Sequence, residues 1–102
     1  MKIVLLDNVS KFLQTRLNDH EIAKTIRVID LLEEFGNKLG MPHSKHIDDG
    51  ILELRIRGKR EIRILYCFEE NSSVMLNAFI KKTEKTPPQE INRAKKEKID
   101  LR

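Results

Sequence analysis

Cysteine, tryptophan and long apolar runs are what this sequence most clearly lacks. The chain of 102 residues has a single cysteine, Cys67, and no tryptophan. One cysteine excludes a disulfide framework and a metal site built on paired cysteines. Because Cys67 lies inside the apolar run ILYCF (64–68), a packed thiol is favoured over a nucleophile. No apolar run approaches the roughly 20 residues of a membrane-spanning helix. We therefore expect a cytoplasmic protein without a membrane partner.

Histidines and aromatic residues are also few, which limits the kinds of binding site that the chain can form. The three histidines, His20, His43 and His46, do not combine with an acid pair at metal-ligand spacing, so we predict no metal site and no cofactor. Aromatic residues make up only 5% of the chain and stand mostly in apolar contexts. Few of them remain to stack on bases, which disfavours a single-strand-binding module built on aromatic platforms.

Charge is abundant and unevenly distributed. Charged residues make up 35% of the chain, and the net charge is +4. Residues 1–50 hold 7 Lys and Arg against 8 Asp and Glu, a net charge of −1, whereas residues 51–102 hold 13 against 8, a net charge of +5. Such asymmetry favours a nucleic acid or another acidic partner for the second half. At this length we expect one domain spanning residues 1–102.

The first half predicts an edge strand followed by two helices. The strand is KIVLL (2–6), and Asp7 or Asn8 is placed to cap the first helix. A capping-box signal at Asn18 and Glu21 starts the second helix, which runs to Gly40. Its apolar stripe should pack on a sheet and comprises Ile22, Ile26, Ile29, Leu32 and Phe35.

The second half predicts a loop over residues 40–49, three antiparallel strands near 51–57, 61–68 and 73–80, and a final helix. Thr86 is expected to be the N-cap of that helix, with Pro87 at its first position. Its apolar anchors would be Ile91, Ala94 and Ile99. The element order is β-α-α-β-β-β-α, which indicates an α+β fold of two layers, a helical hairpin on an antiparallel sheet.

These strands carry basic side chains at regular spacing. Strict alternation places Arg55 and Arg57 on the face opposite Leu52 and Leu54, and Arg63 joins them from the next strand. Like charges on neighbouring strands repel, so we expect a polyanion to compensate them. Arg63 should be accessible in the middle of the sheet, so that its removal would cost under about 1 kcal/mol of stability.

Three blocks of sequence, in order, resemble the RelE/ParE superfamily of bacterial toxins, in particular its phage-derived, HigB-like branch. They are DGILELR (49–55), RILYCF (63–68) and FIKKTEKTPPQEINRA (79–94). The resemblance covers about half of the chain, and the first half matches only in helical layout. It implies a RelE-like fold and the toxin of a type II toxin–antitoxin system.

The resemblance further implies a ribosome-dependent mRNA endonuclease that inhibits translation. In such enzymes the ribose 2′-hydroxyl attacks the adjacent phosphate without a metal. The implied partners are a HigA-like helix-turn-helix antitoxin, the ribosome and mRNA, with operator DNA reached only through the antitoxin. The implied catalytic residues are Arg55, Arg57, Arg63 and Lys82, and the implied RNA-binding residues are Lys59, Lys81 and Lys85.

The chain also departs from its relatives, and alternatives follow. It has no tyrosine after Tyr66, where RelE has one, and no Asp-Tyr-His tail as in some HigB toxins. The general acid is therefore unassigned; His46 is a candidate by chemistry, and a histidine that caps a loop is the alternative. Tyr66 shares a face with Ile64 and Phe68 and should pack in the core. Two other functions stay open, a ParE-like gyrase inhibitor and a nucleic-acid-binding module without catalysis.

Overall fold

The structure, a computed structural model, describes residues 1–101 and forms a five-stranded sheet with helices. The elements in chain order are β1 (Lys2–Leu5), α1 (Asp7–Arg16), α2 (Asp19–Phe35), a 3₁₀ turn (Gly36–Lys38), β2 (Ser44–Asp48), β3 (Ile51–Ile56), β4 (Glu61–Glu69), β5 (Ser72–Lys81) and α3 (Pro88–Asp100). The predicted α+β class is confirmed, with one additional strand.

The sheet is mixed, with the order β1-β5-β4-β3-β2. Strands β2 to β5 pair antiparallel with their neighbours, consistent with the three short turns that join them, whereas β1 lies parallel to β5 at the sheet edge. Gly50, with φ +76°, adopts the left-handed conformation in the β2–β3 turn, where a residue without Cβ is unstrained. The antiparallel pairing predicted for the three central strands is confirmed.

Helices cover both faces of this sheet. On one face, Val9 of α1 and Leu32 of α2 pack with Leu54 and Ile64 of the sheet. On the other face, Ala94 of α3 packs with Leu65 and Leu76. The molecule thus has the helical hairpin that the sequence predicts on one side, and α3 as a third layer on the side that carries the arginines.

Several local predictions need correction. Residues 44–48, expected in a loop, form β2. Ile26 is 51% exposed because it lies about 120° around α2 from buried Leu32, and Ile99 is 71% exposed because it lies about 140° around α3 from buried Ala94. The N-cap of α3 is Pro87, one residue later than expected, and α1 begins at Asp7 without a side-chain cap.

The second helix starts as predicted, with the Asn18–Glu21 capping box in place. Tyr66 is fully buried, which confirms its expected core position. Within residues 1–101, no helix is long and apolar enough to cross a membrane.

Candidate functional site

Charged side chains from three adjacent strands gather on the α3 side of the sheet. The β3–β4 register places Arg55 beside Arg63, and the β4–β5 register places Arg63 beside Phe79 and Glu61 beside Lys81. Cross-strand neighbours project from the same face. The charged cluster therefore consists of Glu53, Arg55, Glu61, Arg63 and Lys81.

Arg63 lies at the centre of this charged cluster and is only 3% exposed. Its Nη2 donates to Glu61 Oε1 at 2.9 Å, and its Nη1 donates to the carbonyl of Ile62 at 3.2 Å. Its Nε lies 3.6 Å from Glu53 Oε1 in an ion pair, and it is the buried side-chain donor without a hydrogen bond among the described residues. The expectation that Arg63 is accessible is wrong, because α3 and the loop before it cover this face.

Glu53 is the buried acidic residue that connects the members of the charged cluster. Its carboxylate is 1% exposed and accepts a hydrogen bond from Arg55 Nε at 3.1 Å. The hydroxyl of Thr86, expected to cap α3, instead donates to Glu53 across the loop. A buried carboxylate is tolerated only when cations and donors surround it. Glu53 thus pairs with both Arg55 and Arg63 and connects the β5–α3 loop to the sheet.

Glu61 marks the accessible side of the charged cluster. Partial burial acts to raise the pKa of its carboxyl, but hydrogen bonds from Arg63 and from the Gly58 N–H, with the nearby positive charge of Arg57, lower that pKa below its ordinary value. Glu61 therefore carries a full negative charge near neutral pH and offsets part of the positive charge of the two arginines.

Of the three arginines predicted for the site, Arg55 and Arg57 reach the surface. The side chain of Arg55 is 13% exposed, and its Nη1 lies 3.8 Å from Met41 Sδ in the loop before β2. Arg57 is exposed just beyond the end of β3. Both lie on the rim of the charged cluster, where an incoming anion meets them first.

The lysines predicted for the site lie at different places around this rim. Lys81 is half-buried beside Glu61, whereas Lys82 and Lys85 are exposed in the β5–α3 loop and Lys59 is exposed at the β3–β4 turn. Lys82 also borders a cleft of about 580 Å³ between α1 and α3, together with Lys11 and Arg93. Lys81 alone among these lysines belongs to the charged cluster itself.

His46 does not join the charged cluster. It lies on β2 opposite Leu52, whose side chain packs under the helical hairpin. His46 is therefore on the face opposite Arg63, in a strand and not in a loop. Within residues 1–101, no group of His, Cys, Asp and Glu side chains is arranged to hold a metal ion.

The acidic members of the charged cluster received no role in the sequence analysis, although alternation places Glu53 on the same face as Arg55. Glu53 and Glu61 each stand two residues before an arginine, in ELR (53–55) and EIR (61–63). In a strand this spacing puts both side chains on the same face. That pattern is the signal that could have revealed an internally compensated cluster.

Comparison with known proteins assigns the chain to a family. The family described as Phage derived protein Gp49-like (DUF891) matches residues 12–98. This range includes α2, strands β2 to β5 and the whole charged cluster. No curated protein matches the chain. Since the match covers most of its length, the chain belongs to the phage-derived Gp49-like family.

Proposed function

We propose that this protein is the toxin of a type II toxin–antitoxin system and that it cleaves mRNA on the ribosome. The observation that carries the proposal is the meeting of basic side chains from three strands on one sheet face, with exposed Arg57 and Lys82 at its rim. Membership of a phage-derived family and the similarity of its three sequence blocks to HigB-like toxins support the same conclusion.

The proposed reaction uses the RNA as its own nucleophile. The 2′-oxygen forms a bond to the adjacent phosphorus while the bond from phosphorus to the 5′-oxygen breaks. The 2′-hydroxyl loses its proton to a base, the leaving oxygen gains one, and the products are a 2′,3′-cyclic phosphate and a 5′-hydroxyl. Because the nucleophile is part of the substrate, the protein must mainly orient the strand and stabilise negative charge on the phosphoryl oxygens.

The accessible cations are suited to these tasks. Arg57 and the exposed part of Arg55 can approach a phosphate from the β3 side, and Lys82 can approach from the β5–α3 loop. Arginine donates two parallel hydrogen bonds to a phosphate and lysine acts as a point charge. Arg63 is assigned a positioning role, because it holds Glu53 and Glu61 beside these cations.

Pulse labelling after induced expression tests the proposal. Methionine incorporation should fall before thymidine incorporation, and primer extension should map cleavage within translated mRNA. The double variant Arg57→Ala/Lys82→Ala should lose most of this effect, since removal of one stabilising group at a developing oxyanion costs about 100-fold or more in rate. Lys2→Ala/Lys38→Ala, which removes two exposed cations elsewhere, should arrest translation like the wild type.

An earlier loss of thymidine incorporation would contradict the proposal and indicate a gyrase inhibitor. Unchanged incorporation of both labels would contradict both hypotheses, the mRNA endonuclease and the gyrase inhibitor. The proposed partner is a helix-turn-helix antitoxin encoded by the neighbouring reading frame, and its co-expression should restore methionine incorporation.

A further inference from the structure

Two adjoining hollows lie beside α2, outside the charged cluster. One, of about 360 Å³, lies at the β3–β4 turn, and the other, of about 230 Å³, lies between α2 and the loop before β2. Both are lined by Lys24, Ile56 and Arg57. We call the two together the α2 groove. It runs from the turn that carries Lys59 past the end of β3 to Arg27.

Positive charge in the α2 groove is compensated only in part within the described chain. Lys24, Arg27, Arg57 and Lys59 form no ion pair within 4 Å and no side-chain hydrogen bond with residues 1–101, and of the four only Arg57 has the charge of a carboxylate, Glu61, nearby. The one carboxylate in the lining of the groove, Glu21, is already held by Arg60 at 2.6 Å. The remaining positive charges repel each other, so an anionic occupant would be stabilising.

The floor of the α2 groove is apolar, and Ile56 at its base is only 2% exposed. Strand β2 accompanies β3 only to Leu54, and the backbone N–H of Arg55 bonds to His43 at 2.8 Å as the last contact on that side. Beyond it, Ile56 is bordered by Val28 of α2 and by Pro42. A cationic rim beside an apolar floor matches a nucleotide strand, whose bases have flat faces and whose phosphates are charged.

Gly58 keeps the wall of the α2 groove close to α2. A Cβ at this position would lie 2.8 Å from Nζ of Lys24. Any larger residue would push the lysine away from the turn. The absence of a side chain therefore allows Nζ of Lys24 to lie close to the β3–β4 turn.

We propose that the α2 groove binds the phosphate backbone of the RNA strand that leaves the candidate site, an inference that rests on the proposed function. Arg55 and Arg57 carry the argument, because they form the rim of the charged cluster and also line the α2 groove. A strand held at one therefore continues into the other. Lys24 and Arg27 of α2 then become phosphate contacts.

Fluorescence anisotropy with a labelled 12-nucleotide RNA, 2′-O-methylated so that it is not cleaved, tests this inference on the full chain. Lys24→Ala/Arg27→Ala should weaken binding roughly 10- to 30-fold at 0.1 M salt and reduce the slope of log K against log salt by about 1.4, since each phosphate contact on a single strand contributes about 0.7. Lys2→Ala/Lys38→Ala, with the same loss of charge elsewhere, should keep the wild-type slope. Circular dichroism should show that both variants are folded, because alanine is well tolerated in the interior of α2, and Lys2 and Lys38 are exposed residues outside the core.

The length of the RNA separates a continuous path from general attraction. A trinucleotide is too short to occupy the candidate site and the α2 groove together, so Lys24→Ala/Arg27→Ala should change its binding much less than that of the 12-nucleotide strand. Equal effects on both lengths, or wild-type affinity of this variant for the longer RNA, would overturn the inference. So would weakened binding of a poly-glutamate peptide with unchanged RNA binding.

The two proposals fail in different ways. If the wild type arrests translation but the α2 groove variant binds RNA as the wild type does, only the groove is wrong. If the wild type binds no 12-nucleotide RNA, the inference is contradicted even where translation stops. If expression of the wild type leaves translation intact, the proposed function itself fails.

Discussion

Arg63 can contact a phosphate by its chemistry, but in the structure it is buried and ion-paired, whereas the sequence suggests an accessible residue. Its guanidinium faces Glu61 at 2.9 Å and Glu53 at 3.6 Å, so the protein itself supplies the negative charge that we expected from a polyanion. Two carboxylates, Glu53 and Glu61, balance two arginines, Arg55 and Arg63. Positive charge is left over only at the rim, at Lys81 and at exposed residues such as Arg57.

We predict that Arg63→Ala will destabilise the fold. Removing one partner of a buried ion pair leaves the other charge uncompensated and costs about 3–5 kcal/mol. Here Glu53, which is 1% exposed, would keep Arg55 and Thr86 as partners but lose one of its two cations, so we expect a loss near the lower end of this range. Urea unfolding should show this loss, whereas Arg57→Ala, an exposed control two strand positions from Arg55, should stay within about 0.5 kcal/mol of the wild type.

A wild-type unfolding midpoint for Arg63→Ala would contradict the buried network. Loss of the proposed activity in this variant would not identify a catalytic role, because a destabilised protein is also inactive. Arg57 and Lys82 are better probes of activity, since their exposure separates function from folding.

At the scale of elements, strand alternation and helix periodicity identified most of the fold. They could not identify β2, because Ile47 is its only partly buried apolar residue and the strand exists through hydrogen bonds to β3. Alternation also separated the two faces of β3 correctly. It could not say that α3 packs on the arginine-bearing face, because that depends on contacts such as Thr86 with Glu53 that join distant positions.

The α1–α2 junction is fixed to the β3–β4 turn by Glu21. Arg60 donates to both of its carboxylate oxygens, at 2.8 and 2.6 Å, and also to the carbonyl of Arg16 at 2.9 Å. The hydrogen bond from Arg60 and the N–H of Asn18 lower the pKa of Glu21 from 4.5 to about 2. This contact holds the turn that forms one end of the α2 groove.

We predict that Glu21→Gln will lower the melting temperature at pH 7 and that the difference from the wild type will disappear in acid. Because the folded state depresses the pKa, the stabilisation is complete above pH 4.5 and is lost as the pH falls towards about 2. Thermal melts between pH 2 and pH 7 measure the difference. Glu33→Gln, also on α2 and exposed, serves as the control and should match the wild type throughout.

A difference between wild type and Glu21→Gln that stays constant down to pH 2 would contradict the role of the Glu21 charge. Arg60→Ala should have at least as large an effect at pH 7 as Glu21→Gln, because glutamine can still accept hydrogen bonds from Arg60 and from the Asn18 N–H, whereas removal of Arg60 leaves the Glu21 carboxylate without its cation.

At the scale of the whole molecule, the sheet has a hydrophobic core on each face, and the helices that cover the two faces differ in how much apolar surface they bury. The helical hairpin packs on one face through residues of both helices, and α3 packs on the other through Ala94 and partly buried Ile91. Polar contacts supplement this third layer: Lys95 with Asp48 at 2.7 Å and Asn77 with Glu90 at 2.8 Å. The layer that covers Arg63 is therefore the one held by the least apolar burial.

We predict that α3 will open while the sheet stays folded. Ile62 to Cys67 of β4 are buried without interruption, whereas α3 has one fully buried residue, so partial opening costs less free energy than global unfolding. Native-state hydrogen exchange at increasing denaturant measures both: amides of residues 89–100 should exchange through a local event with little denaturant dependence, and β4 amides, the internal control, through global unfolding. Such an opening would expose Arg63 and Glu53 to an RNA phosphate. Exchange of both sets at the same free energy would mean that the buried arginine stays covered, and only the rim cations could then contact RNA.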